Sequence, residues 1–374
     1  AGRCSIDRGD ISALGAAVGA IRTALDQVDA TIDFRDFDTN GPTAGTPDGV
    51  VDGVIFLSNI DFGGIALPHV RVCELLPSFC PDTSWDSVYD NTLVPWVAIA
   101  AASNGDLERA NYVAIHEYGH LLGFADLYDE SFQTTDLPYS FMGGWNYDDR
   151  PDMPAGPSRI DIGWANVQTA TTSGTYSLRP SATSGDVLVL GSGNEFFVAE
   201  VREANGVYDG SIAESGVAIY HVNEARRPSG SVDGFLTLLL DCVNCEPWAP
   251  FMMLEQADGL FELQEGPGNR DDSGDLFRAG DTFPIGADGP PLSASNAILN
   301  SNRYDGSSTG IGITAFRKTA TGFDLDVVVP GGGDASGDGG SEDSGCAATP
   351  GAGVYGLLLG LTRRSGSRRR KKPH

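Results

Sequence analysis

The sequence predicts an α+β fold whose C-terminal half is rich in strands. Three observations carry that expectation. Ile11, Leu14, Val18, Ile21, Leu25 and Val28 recur at helical spacing behind Asp10, a residue type that caps helix N-termini. A second helical stretch follows Asn104 and Asp106, with Tyr112, Ile115, Gly119 and Leu122 as its expected buried stripe. Beyond Trp164 the pattern turns to short alternating runs between glycine turns, among them Thr175–Leu178, Asp186–Leu190, Phe196–Val201 and Val217–Val222.

Between these elements lie an acidic loop, a buried strand expected over Val50–Ser58, and a loop-rich stretch over residues 61–105. No internal repeat is visible. The chain has 374 residues and is 41% hydrophobic, enough for a large core. One α+β unit is expected over 1–330, followed by a Gly/Asp/Ser linker over 331–345 and a separate tail over 346–374. The net charge of −27 understates the acidity of the body, because seven Lys and Arg lie between Arg363 and His374. Without them 17 bases face 51 acids, a charge of −34. Such a surface repels nucleic acid and attracts cations. Cys73 with Cys80, and Cys242 with Cys245, are placed for two local disulfides, leaving Cys4 over.

Chemistry concentrates in His116–Asp129, HEYGHLLGFADLYD. His116 and His120, four residues apart on a helix, share one face. That separation suits one Zn2+ with bonds of roughly 2.0–2.1 Å. Glu117 flanks the same face, placed to act on water without being a ligand. Gly123 can end the helix in a left-handed turn and swing Asp126 back as a third ligand, leaving one position open as in catalytic zinc sites. The expected reaction is peptide-bond hydrolysis. Glu117 takes the proton of the attacking water and returns it to the leaving amine. Tyr147 and His221 are candidate donors to the oxyanion, although a structural role is the plainer reading of each.

The loop Asp36–Asp52, DFDTNGPTAGTPDGVVD, offers Asp38, Asn40, Asp48 and Asp52 as oxygen ligands in an order that resembles the start of an EF-hand-type calcium loop. Gly41–Pro47 interrupts it, and Ile55 stands where a bidentate glutamate belongs. A second acidic cluster, Asn269, Asp271, Asp272 and Asp275, is also compatible with Ca2+.

The signature run resembles that of the immune-inhibitor-A-like zinc metallopeptidases, H-E-x-x-H-x-x-G-x-x-D-x-Y-D. These are related to the metzincins but have aspartate as the third ligand. YSFMGGW, Tyr139–Trp145, is similar to the family's methionine turn, which would place Met142 beneath the metal. IDIGW, EFFVAEVRE, GVAIYHVNE, MLEQADG and SGDLFRAGDTF resemble later segments in the same order, so the likeness spans roughly residues 30 to 330. It implies a metzincin-like zinc peptidase catalytic unit with protein or peptide substrates. Gly-Phe-Ala precedes Asp126 where the family often has Gly-Leu-Pro. No signal peptide or propeptide precedes Ala1, so an N-terminally truncated fragment is expected.

Cys346, the apolar stretch Val354–Leu361 and the basic end form a different device. The apolar part is short for a ~20-residue membrane span. The three together resemble myxobacterial-type C-terminal sorting tags. That resemblance implies an exported, extracellular or cell-surface protein, read by a processing machinery and anchored at the membrane through Cys346. The rival expectation is a calcium-stabilised, non-catalytic adhesion or binding module on a peptidase fold. Degenerate copies of such sites lose the glutamate or a ligand, and here Glu117, His116, His120 and Asp126 are all present.

Overall fold

The computed structural model describes residues 23–39, 46–58, 64–68, 85–86, 89, 91–94, 96–101, 107–122, 124–128, 137, 139–143, 152–204, 206, 208–210, 212–227, 246–264 and 272–330. All six cysteines, Asn40, Gly123 and Tyr147 lie outside them, as does most of the expected first helix, of which 23–28 is helical. The chain divides into two compact units, Ala1–Gly333 and Asp334–His374, and only the first contains described residues. Its architecture is mixed α+β.

The N-terminal sheet has the order β1-β5-β2, where β1 is Val54–Ser58, β2 Gly64–Pro68 and β5 Trp96–Ala101. The central β5 runs parallel to β1 and antiparallel to β2. A two-stranded pair, β3 (Trp85–Asp86) and β4 (Leu93–Val94), stands beside it in sequence. Four strands therefore lie in the stretch expected to be loop-rich. The strand expected from Val50 begins only at Val54, because Val50 bridges Leu93 instead of Val97's neighbours on β5. Helix α1, Leu107–Leu121, packs on all three strands of this sheet.

The C-terminal half is layered. β6 (Asn166–Ala170), β8 (Asp186–Leu190), β9 (Glu195–Arg202), β10 (Gly216–Asn223) and β11 (Met252–Leu254) form a sheet in the order β11-β10-β9-β8-β6. Only the β6–β8 pair is parallel. β7 (Gly174–Leu178) leaves this sequence to pair with β13 (Gly322–Val328), which also pairs with β12 (Gly312–Thr319).

Side-chain alternation decides what each face of the middle sheet touches. Val198, Ala218, Tyr220 and Val222 join one core with Tyr112, Phe124, Tyr139 and Met142. Their neighbours Phe197, Ala199, Val217 and Ile219 join a second core with Phe316, Leu325 and Val327. The first core thus lies against α1 and the segment around Met142, while the second is closed by β12, β13 and β7. The strand pattern of residues 166–223 supplies both at once.

Candidate metal and catalytic site

α1 buries Tyr112 and Gly119 of the expected apolar stripe, packs Leu122 against the core, and turns Glu117 of the signature inward with them. Tyr112, Val113, Glu117 and Gly119 are buried, whereas Ile115 and Tyr118 are 37% and 44% exposed. Ile115 therefore does not take the core place expected of it. The arc chosen for burial is centred on the side that carries His116 and Glu117. The cause is a close approach. A Cβ at Gly119 would lie 2.6 Å from Met142 Sδ and 2.7 Å from Phe141 Cε2, so glycine lets the helix sit directly on the 139–143 segment. Met142 itself is fully buried, and its carbonyl accepts the Leu127 N–H at 2.8 Å. One contact thereby ties the segment carrying Asp126 to the turn below the helix.

The Phe141 carbonyl is the hub of the site. It accepts from the Tyr112 hydroxyl at 3.1 Å and faces His116 Nδ1 at 2.9 Å. A carbonyl only accepts, so Nδ1 carries a proton, and in the Nδ1–H tautomer the lone pair is on Nε2. Nε2 lies 3.0 Å from Asp126 Oδ1. Two lone-pair donors at that distance need a cation between them, either a proton or a metal ion. Two ligand atoms of a tetrahedral zinc with bonds of ~2.0–2.1 Å stand about 3.3 Å apart. The pair fits that spacing within a few tenths of an ångström. A histidine whose other nitrogen donates to a backbone carbonyl is the usual outer-shell arrangement of a metal ligand. Asp126 is 2% exposed and Glu117 6% exposed, so both carboxylates are held out of bulk water. His120 lies on α1 one turn beyond His116, and its side chain is outside the described residues.

The same 139–143 segment is fastened from below by a buried ionic network that sequence reading did not find. Arg202 donates to the Tyr139 carbonyl at 2.7 Å, to the Tyr220 hydroxyl at 3.0 Å and to Glu200 at 3.1 Å. It also forms a two-pronged pair with Asp209. Arg159 pairs with the other oxygen of Glu200. Burial opposes the Arg202 charge, but Asp209, Tyr220 and Glu200 outweigh it and keep the guanidinium protonated. Glu200 and Arg202 are two residues apart and therefore on one face of β9, which is the available sequence signal for such a pair.

Alternation places His221 on the face of β10 turned away from Met142 and the signature helix. On β10 it shares the face of Val217 and Ile219, opposite to Tyr220, and so belongs to the second core's side of the sheet. It is 1% exposed and faces Glu255 through Nδ1 and Glu195 through Nε2, each at 2.9 Å. Burial works against its charge, yet the hydrogen bonds of Glu195 and Glu255 lift its pKa above the usual histidine value.

The acidic loops differ. Asp38 is buried, and its two oxygens accept the N–H groups of Asp48 at 2.9 Å and Gly49 at 2.7 Å. Asp48 accepts from the Val50 N–H, and Asp52 from the Thr39 N–H and hydroxyl. Loop donors thus meet both oxygens of Asp38 and one oxygen each of Asp48 and Asp52. Among the described residues, the three acids whose carboxylates converge within 4.8 Å of one another are instead Asp258, Glu262 and Asp275. Asp275 belongs to the cluster expected from sequence, whose Asn269 and Asp271 lie outside the described residues. Asp258 and Glu262 come from the preceding MLEQADG segment and its continuation. Burial raises the Asp275 pKa, the Asp272 N–H lowers it, and the charges of Glu262, Asp272 and Asp258 bring it up to about 7.

Among the described residues no helix is long and apolar enough to cross a membrane. No family model, curated protein or solved structure matches the chain.

Proposed function

We propose that the chain is a zinc-dependent endopeptidase with a metzincin-like catalytic unit, in which His116, His120 and Asp126 hold the ion and Glu117 is the general base. One observation carries the reading. His116 donates through Nδ1 to the Phe141 carbonyl and turns Nε2 to within 3.0 Å of the buried Asp126 carboxylate, one residue before a buried glutamate. The ordered resemblance to immune-inhibitor-A-like metallopeptidases supports it, with Met142 lying against Gly119 of the signature helix.

Held by His116, His120 and Asp126, Zn2+ would supply Lewis-acid polarisation of the scissile carbonyl and a more acidic attacking water. The chain's own residues do the rest. Phe141 fixes the His116 tautomer, so that Nε2 is always the nitrogen presented. Glu117 takes the proton from water and delivers it to the leaving amine, and burial keeps its carboxylate pointed rather than solvated. Export and anchoring through Cys346 are part of the same proposal and rest on the sequence of residues 331–374, outside the described residues.

Metal analysis combined with casein digestion tests the reading. Glu117→Ala should keep one zinc per chain and lose about 10²–10⁴-fold in kcat/KM, the range of general acid–base catalysis. Asp126→Ala should lose the zinc. Zinc-loaded wild-type protein that cleaves neither casein nor a peptide library would overturn the peptidase reading in favour of a binding module. Full zinc affinity in Asp126→Ala would reassign the third ligand.

A further inference from the structure

We propose that Asp258, Glu262 and Asp275 form a binding site for a calcium-type divalent cation, distinct from the signature site and from the Asp38 loop. The proposal goes beyond the peptidase reading and does not rest on it. The three side chains come from two segments that the backbone clamps together. Ala257 N–H donates to the Asp275 carbonyl at 2.9 Å, and Asp258 N–H to the Gly274 carbonyl at 3.0 Å. Gly274 lies so close beneath the Asp258 carboxylate that a Cβ there would be 2.6 Å from Oδ2. Each of the three acids thereby offers an oxygen within 4.8 Å of the others. Such an all-oxygen set selects a hard cation over zinc.

Crowding of acids is common on protein surfaces and says little by itself. Here one member is fully buried. Asp275 is 0% exposed; its Oδ2 accepts the Asp272 N–H at 2.9 Å and the Tyr139 hydroxyl at 3.4 Å, while its Oδ1 is buried with no hydrogen-bond donor. The amide oxygen of Gln256, two residues before Asp258 and also 0% exposed, is a second buried acceptor without a donor. A buried acceptor left unmatched costs about 1–3 kcal/mol, more for a charged group. A cation beside Asp275 would match its buried oxygen where no hydrogen-bond donor does. Ca2+ takes six to eight oxygens at about 2.3–2.6 Å, so three carboxylates leave room for amide, carbonyl and water ligands.

The site also has a route to the rest of the molecule. Tyr139 touches Asp275 with its hydroxyl and Arg202 with its carbonyl, and it opens the turn that carries Phe141 and Met142. A cation at Asp275 would hold the tyrosine end of that turn.

The test is calorimetric titration of Ca2+ into the full chain carrying Glu117→Gln to prevent self-digestion, with calcium removed and zinc restored. One site is expected, weakened at least tenfold both by Asp275→Asn and by the exposed-side double change Asp258→Asn with Glu262→Gln. Asp38→Asn should leave its affinity within twofold. The melting temperature should rise on adding Ca2+ to the parent and to Asp38→Asn, and stay flat in the double variant. The double variant has milder packing consequences than Asp275→Asn and serves if the latter fails to fold. Absence of Ca2+ binding in the parent would overturn the proposal. So would unchanged affinity in the double variant, or loss of binding through Asp38→Asn alone. None of these readouts depends on peptidase activity.

Discussion

Tyr139 stands between two buried clusters of opposite character. At its carbonyl end, Arg159 and Arg202 meet Glu200 and Asp209, two charges of each sign with hydrogen bonds between them. At its hydroxyl end, Asp258, Glu262 and Asp275 meet one another, and the charges of Glu262, Asp272 and Asp258 that act on Asp275 are all acidic. The first cluster is complete within the chain. The second, like the facing pair of His116 and Asp126, presents donors of electron pairs to each other. Burial and ionisable groups alone do not mark a functional site.

Arg202→Met should break the complete cluster with the largest stability effect, about 3–5 kcal/mol, because it leaves Asp209 buried without its cation and Glu200 with Arg159 alone. Denaturant unfolding with and without Ca2+ should show the same loss in both conditions. A loss that Ca2+ repairs would erase the distinction between the clusters. Gly119→Ala should cost less, about 1–3 kcal/mol, as the new methyl presses on Met142 and Phe141. It should also weaken zinc binding, measured by competition with a chromogenic chelator, by displacing the Phe141 carbonyl from His116. Zinc affinity unchanged at lowered stability would separate the helix seat from the metal site.

The smallest effect concerns His221, the one cationic partner in a carboxylate pair on the opposite face of the sheet. Its folded pKa is raised, so the stabilisation it gives is fully present below its unfolded value of about 6.5 and is lost as pH rises through the folded value. The stability gap between wild type and His221→Gln should therefore shrink as pH is raised above about 6.5. A gap that widens instead would mean that the imidazole is neutral between Glu195 and Glu255.

What the sequence revealed follows from which interactions are local. β8 spans the expected Asp186–Leu190, and β9 and β10 differ from expectation by a residue at each end, because alternating burial writes itself into consecutive residues. Trp96–Ala101 escaped notice although it is the centre of its sheet. A continuous apolar run rich in alanine has no period to distinguish strand from helix. His116, Glu117 and Asp126 were legible as a short-range pattern. The groups that fix them were not: the Phe141 acceptor is a backbone carbonyl, invisible in residue types, and the Tyr139–Asp275 contact joins positions 136 residues apart. The exposure of Ile115 was hidden for the same reason, since it depends on the seat that Met142 and Phe141 offer Gly119.

The pairing of β7 with β13 sets a timetable for the chain's birth. Ser173 and Val329, which exchange hydrogen bonds at the open end of that pairing, are 156 residues apart. A ribosome adding ~5–20 residues per second needs roughly 8–30 s to bridge that interval. Throughout it β7 has no partner along β13, and Leu178 lacks the wall that later buries it. An unpaired edge of that kind invites mispairing with other nascent chains. Whatever shields the growing polypeptide must therefore act until β13 is made.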